Sequence, residues 1–228
     1  MTTESSGAIP GWYGKLPNLG DFASRRLPAE FIRTWDTWLQ EVLHSTRASL
    51  GEGWRDRYLT MPIWRFVLMP GLVEASGWAG VLMPSVDRVG RQFPLTLAVA
   101  LASETEAAHA VFEGADWFAS LENAALGVLD PTRSPDELEQ ALESCAFVAP
   151  LCALLEGPAG AVRRLPSTEA FESLAMGEAL RAWSRDAGWK GLWWTQGRVE
   201  DHPLMLTCAK LPTAEEFGWL LQSRASLD

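Results

Sequence analysis

The stretch from residue 61 to residue 101 contains three short apolar runs separated by polar residues. The runs cover Ile63 to Met69, Trp78 to Met83 and Phe93 to Leu101. Each run is bounded by Pro or Gly and is rich in β-branched or aromatic residues, a pattern typical of strands. The sequence therefore predicts three adjacent strands, with residues 84–91 forming the turn between the second and the third.

The third run alternates in the size of its side chains. Large apolar residues are predicted on one face and small ones on the other, namely Phe93, Leu95, Leu97, Val99 and Leu101 against Pro94, Thr96, Ala98 and Ala100. Since neither face is strongly polar, we expect helices to cover both sides of the sheet.

Helical periodicity surrounds this central stretch. An apolar stripe follows Pro28 and predicts a helix that ends by Gly51 or Gly53. Residues 104–129 are predicted to be helical with a possible break at Gly114, and Ser134 with Glu137 forms a capping box that opens the next helix.

The C-terminal part predicts a more mixed structure. Residues 146–166 are expected to form a loop with at most a short helical turn, and a helix is expected from 167 or 168 to 188. Residues 189–195 and 204–209 predict an antiparallel hairpin, and a second capping box at Thr213 opens a short last helix. A first strand is expected over residues 11–17.

The predicted fold is a three-layer α-β-α sandwich around a mostly antiparallel or mixed sheet. We find no linker or repeat and expect residues 1–228 to form a single domain, with residues 1–10 as a frayed end.

The charge and the cysteines narrow the range of functions. A formal net charge of −10 disfavours nucleic acid and anionic membrane surfaces as partners. No secretion signal or membrane span is evident, and the apolar surroundings of Cys145, Cys152 and Cys208 predict free thiols. We therefore expect a cytoplasmic protein that is not inserted in a membrane.

The most polar cluster lies on the turn between the second and third strands. Its candidate site residues are Ser85, Asp87, Arg88, Gly90 and Arg91. Guanidinium groups offer paired donors to an anion or carboxylate, so the cluster could bind a ligand or a partner. The alternative, which we favour, is a turn held by an Asp–Arg pair, with Gly90 at a positive φ.

Other chemistry has little support in the sequence. A hydrolytic site would need a base for Ser85, and only His202 on the predicted hairpin loop is a candidate. No metal-ligand spacing, phosphate loop or deaminase signature is present, so neither a metal nor a cofactor is predicted.

Several ordered motifs resemble the TagF family, also called ImpM, whose members are associated with type VI secretion. The motifs are GWYGKLPNLGDF at 11–22, Leu27-Pro28 with Phe31, WDTWL at 35–39, PIWRF at 62–66 and GVLMPSVDRVGRQFPL at 80–95. The further positions taken from the first motif are Trp12, Gly14, Lys15, Gly20, Asp21 and Phe22. Asp21 is also explained as a residue that hydrogen-bonds within its own turn.

This resemblance implies a cytoplasmic, non-enzymatic, post-translational repressor of type VI secretion. It also implies a partner, the forkhead-associated scaffold protein needed for assembly of the secretion apparatus. Some relatives carry a fused phosphatase domain, for which this chain is too short. The resemblance supplies no catalytic residues.

Three hypotheses remain at this point. The first is the regulatory binding module, and the second is a small-ligand-sensing or hydrolytic domain that uses Ser85, Asp87, Arg88 and Arg91. The third is a structural component of the secretion machine. The second requires those side chains to converge in a concave pocket.

Overall fold

A seven-stranded antiparallel sheet forms the centre of the molecule. The computed structural model describes residues 7–148, 153–157, 160–164, 185–186, 188–195 and 204–221. The strands are β1 Gly11–Gly14, β2 Ala23–Arg25, β3 Trp64–Leu68, β4 Gly77–Met83, β5 Leu95–Leu101, β6 Ala153–Gly157, β7 Gly160–Arg164, β8 Gly191–Trp194 and β9 Met205–Cys208. The strand order is β2-β1-β5-β4-β3-β8-β9, with every neighbouring pair antiparallel, while β6 and β7 form a separate hairpin.

Residues 185–186 are helical, and six further α-helices accompany the strands in the described ranges. They are α1 Ala29–Leu50, α2 Trp54–Thr60, α3 Glu104–Phe112, α4 Ala115–Gly127, α5 Pro135–Glu143 and α6 Ala214–Leu220, with a 3-10 turn Gly51–Gly53 between α1 and α2. One face of the sheet packs against α3, α4 and α5, and the other against α1, α2 and α6. The predicted α-β-α sandwich is confirmed.

The two layers differ in their side chains. The α3–α5 layer is mainly aliphatic and contains Val81, Leu95, Leu97, Ala108 and Leu121. The α1 layer is aromatic, with Phe31, Trp35, Trp38, Phe66, Trp78 and Trp193 in contact. The small face of β5 makes room for these rings, and Thr96 Oγ1 accepts a hydrogen bond of 2.8 Å from Trp35 Nε1.

Local sequence signals account for several helix ends. Both predicted capping boxes are present, at Ser134 with Glu137 and at Thr213 with Glu216. The predicted break at Gly114 separates α3 from α4, and a Cβ at this glycine would lie 2.4 Å from Ala110 O. The hairpin of β8 and β9 is also confirmed.

Four details differ from the predictions. The expected loop at 146–166 contains the hairpin β6–β7, and its Gly residues mark the strand ends, since Gly157 pairs with Gly160. Strand β1 ends at Gly14 rather than at residue 17. The short elements β2 and α2 were not predicted. Phe93 precedes β5 and packs in the aromatic layer, not beside Leu95.

Some predictions concern residues outside the described ranges. These are most of the helix expected at 167–188, Cys152 and His202, as well as residues 1–6 of the end expected to fray. Within that end Ala8 is ordered by two hydrogen bonds to Phe147, of 3.0 and 2.9 Å. Among the described helices none is both long and apolar enough to cross a bilayer.

Candidate functional site

Strand register brings two sequence-distant loops together at one end of the sheet. Tyr13 of β1 pairs with Thr96 of β5, and Met83 of β4 pairs with Leu95. The chain therefore leaves β1 and β4 at the same end at which β5 begins. The β1–β2 loop, residues 15–22, and the β4–β5 loop, residues 84–94, consequently lie side by side.

Gly14 allows these loops to approach closely. Its φ is +144°, and a Cβ there would lie 2.2 Å from Pro94 O. A side chain at this position would force the start of β5 away from β1. The family-motif position Gly14 is therefore explained by backbone packing.

Asp87 is the central acceptor of the two loops. Its buried carboxylate accepts hydrogen bonds from Lys15 Nζ at 2.8 Å and Arg91 Nε at 2.6 Å, both on Oδ2. The backbone N–H groups of Val89 and Arg91 donate to Oδ1 at 3.0 and 2.9 Å. The pairing of Asp87 with Arg91 matches the predicted Asp–Arg turn, and Gly90 has the predicted positive φ, +84°.

These contacts set the ionisation of Asp87. Desolvation by burial alone would raise the pKa of its carboxyl. The hydrogen bonds from Lys15, Arg91 and Val89 outweigh that effect, and the net result is a pKa well below the usual range. Asp87 is therefore a structural anion, held in its charged form by cations and N–H groups.

Ser85 is buried in the same network. Its Oγ donates to Lys15 O at 2.7 Å, and Tyr58 Oη bridges the Ser85 backbone by donating to its O at 2.8 Å and accepting from its N at 2.9 Å. Burial raises the pKa of Tyr58, so its hydroxyl stays protonated. A nucleophile would need its oxygen to face a substrate, whereas Ser85 is only 2% exposed.

Two further hydrogen bonds join the loops directly. Arg88 N donates to Leu19 O at 2.9 Å, and Arg91 Nη2 donates to Gly20 O at 2.5 Å. A Cβ at Gly20 would lie 3.4 Å from Arg88 Nη2. Asp21 Oδ1 accepts from Phe22 N at 2.8 Å, which is the local turn contact expected for it.

Phe22 covers the buried pair from the outside. Lys15 Nζ lies 4.9 Å from the centre of its ring, which also packs edge-on against Phe93 at 4.7 Å. A cation on an aromatic face is stabilised, the more so where water is excluded. The ring thus shields Lys15 while keeping its own outer surface exposed.

The predicted site residues therefore fall into two groups. Ser85, Asp87 and Lys15 are buried, whereas Gly20, Asp21, Phe22, Arg88, Gly90 and Arg91 are exposed. Trp12 is also buried, but away from the two loops, and its indole N–H donates to Glu139 on α5. Ser85, Asp87, Arg88 and Arg91 do not face a common hollow, so the geometry gives no support to a ligand-sensing or hydrolytic site.

Sequence reasoning named Lys15 without its buried partner, and it missed Tyr58, Arg47 and Gln92. Lys15 was singled out by its motif alone, and its pairing with Asp87 spans 72 positions. Arg47 at the end of α1 donates to Gln92 Oε1 at 3.1 Å, and Gln92 Nε2 donates to Gly90 O at 3.0 Å. The one hint of this link in the sequence is Arg47, the basic residue in the last turn of α1.

Comparison with known proteins now decides the family. Residues 11–145 match the model of the TagF N-terminal domain, described as type VI secretion system-associated. The chain belongs to the TagF family. The TagF match includes both loops and every exposed residue of the candidate site.

A solved structure extends the likeness over nearly the whole chain. PA0076 from Pseudomonas aeruginosa PAO1 is 33% identical in sequence, with 93% of each chain covered and a TM-score of 0.75. No curated protein matches this chain.

Proposed function

We propose that this TagF protein is a cytoplasmic, post-translational repressor of type VI secretion that acts by binding the forkhead-associated scaffold protein of the apparatus. The observation that carries the proposal is the family match over residues 11–145. A binding role is consistent with the candidate site, where Ser85 and Asp87 are engaged in holding two loops and the neighbouring side chains face outward.

The first experiment deletes the gene and measures secretion of a type VI substrate. A repressor's loss raises secretion, and complementation with the wild-type gene restores the original level. A structural component behaves in the opposite way, because its loss abolishes secretion. Unchanged amounts of the other secretion proteins on immunoblots distinguish post-translational repression from an effect on expression.

The second experiment measures binding of the purified protein to the purified forkhead-associated scaffold. We expect a complex by size-exclusion chromatography and a measurable Kd by calorimetry. If deletion raises secretion but the protein does not bind the scaffold, the repressor function is supported and the scaffold is refuted as its partner.

A further inference from the structure

The exposed sides of the two cross-linked loops form one surface with a distinctive composition. We call the side chains of Phe22, Arg88, Val89 and Arg91, together with Arg47 at their border, the cationic platform. Val89 at the loop tip is 71% exposed and Phe22 is 43% exposed, although both are apolar. The platform therefore presents apolar surface among guanidinium groups.

Among the described residues, the cations at the platform outnumber the carboxylates, because Lys15, Arg47, Arg88 and Arg91 stand against only Asp87 and the exposed Asp21. Arg91 shares the carboxylate of Asp87 with Lys15, so two cations use one anion. Arg47 contacts the neutral Gln92 and lies 4.2 Å from the Trp54 ring. Arg88 makes no ion pair with any described residue, and its side chain is exposed. This local excess of positive charge occurs in a chain whose net charge is −10.

The platform is also held in place before any partner arrives. Asp87 accepts four hydrogen bonds beneath it, and Leu19 and Gly20 accept two more across the loops. Binding costs less conformational entropy when the contact residues are already ordered. Arg and aromatic residues, moreover, supply most of the binding energy in protein interfaces.

We propose that the cationic platform docks an acidic segment of a protein partner, with Arg88 pairing to a carboxylate and with Val89 and Phe22 packing against apolar residues beside it. The proposal rests on the proposed function in taking the forkhead-associated scaffold as that partner. An acidic protein segment fits better than nucleic acid or lipid. An extended polyanion would be repelled at long range by the net negative charge of the whole chain. A localised acidic segment requires only short-range complementarity.

The test compares two double variants with matched changes. Arg88→Glu with Val89→Ser alters the platform, and Lys210→Glu with Met205→Ser makes the same kinds of change on or just after β9. The control positions are exposed, Met205 by 66%, and β9 is the edge strand four strands away from β5. Thermal unfolding and circular dichroism of all three proteins establish that the fold is retained.

Calorimetry with the purified scaffold protein gives the first readout. We expect the platform variant to bind at least about 10-fold more weakly than wild type, and the control variant to bind like wild type. Wild-type affinity should also fall between about 0.05 and 0.5 M NaCl, more steeply than that of the platform variant, because salt screens the ion pairs. Equal affinities of all three proteins for the scaffold would refute the platform as the binding surface, although the scaffold would remain the partner.

Complementation of the deletion strain gives a second readout that does not depend on the scaffold. The platform variant should fail to lower secretion at wild-type protein levels, whereas the control variant should lower it fully. If wild type does not bind the scaffold but the platform variant alone loses repression, the platform stands and the proposed partner is wrong. Full repression by the platform variant, or tight Arg88-dependent binding to anionic vesicles or DNA in place of the scaffold, would refute the docking of an acidic protein segment.

Discussion

Two buried ionic centres, one in the loops at the end of the sheet and one on its α3–α5 face, are built differently. Under the cationic platform, Asp87 is one acceptor shared by Lys15, Arg91 and Val89. In the α3–α5 layer, Arg65 of β3 and Glu122 of α4 form a bidentate pair with distances of 2.7 and 2.9 Å. The first is a hub with several donors on one carboxylate, and the second is a bidentate pair, called here the Arg65–Glu122 pair.

The difference shows where each centre is vulnerable. A hub tolerates loss of one donor, because the others continue to satisfy the carboxylate, but it fails when the acceptor is removed. In the Arg65–Glu122 pair, by contrast, removal of either partner leaves a largely buried charge without its counter-charge. A hub is well suited to two loops that carry a binding surface, because a single carboxylate orders several backbone and side-chain groups at once.

The variant Asp87→Asn should therefore cause a larger loss of stability than any of the other variants proposed below. The amide would present N–H groups or a neutral oxygen to Lys15 Nζ and Arg91 Nε, and Lys15 would lose its buried counter-charge. We expect a large drop in the urea midpoint and loss of platform binding, measured by circular dichroism and calorimetry. A midpoint closer to wild type than that of Arg65→Met would refute the hub model.

The destabilisation caused by Asp87→Asn should depend on pH. Because the folded-state pKa of Asp87 is lowered, its carboxylate stabilises the native state above its unfolded pKa of about 4, and this contribution disappears as the pH falls through the folded value. The difference in unfolding free energy between wild type and Asp87→Asn should be full at neutral pH and narrow below about pH 4. A difference that stays constant down to about pH 2 would show that the charge of Asp87 is irrelevant.

The Arg65–Glu122 pair is tested by Arg65→Met. The guanidinium side chain is 5% exposed and the Glu122 side chain 14%, so the stranded carboxylate remains largely buried. We expect a destabilisation of about 3–5 kcal/mol in urea unfolding. Arg65→Met with Glu122→Leu should recover much of the loss, since a buried pair replaced by apolar residues is often nearly neutral. No recovery in the double variant would indicate that Arg65 stabilises the fold through contacts other than Glu122.

The sequence was informative where a signal is local. The capping boxes at 134 and 213 and the break at Gly114 each depend on residues within one turn, and all three are present. Short elements such as β2, with three residues, give too few positions for a periodicity. The strands β6 and β7 were missed because Gly and Pro were counted as signs of a loop, although Gly157 and Gly160 lie at the ends of strands.

The candidate site could be predicted only in part for a related reason. The pair of Asp87 with Arg91 spans four residues, within the reach of a turn argument. The bond from Lys15 to Asp87 depends on β1 lying beside β5, a strand order that periodicity does not reveal. Long-range strand pairing therefore determines which polar side chains are buried in contacts within the fold and which stay exposed to a partner.

A milder test of the hub is Lys15→Met. Methionine preserves most of the buried length of the side chain, and Asp87 keeps Arg91 and the two backbone donors. We expect the urea midpoint to lie between those of wild type and Arg65→Met, with platform binding largely retained. A loss of stability as large as that of Asp87→Asn would mean that Lys15 is the one indispensable partner of Asp87, which contradicts the hub model.

The smallest expected loss of stability comes from a substitution that acts only on the backbone of the β4–β5 loop. Gly90 has a φ of +84°, and a Cβ there would have no atom within 4 Å, so Gly90→Ala adds only the conformational cost of a left-handed residue, about 1 kcal/mol. Gly53, where φ is −75° and the surroundings are equally open, is the matched control, and Gly53→Ala should be neutral or slightly stabilising. Urea unfolding measures both. Equal effects at the two positions would show that the hub does not hold Gly90 in its left-handed conformation, because the loop would then relax to accept alanine.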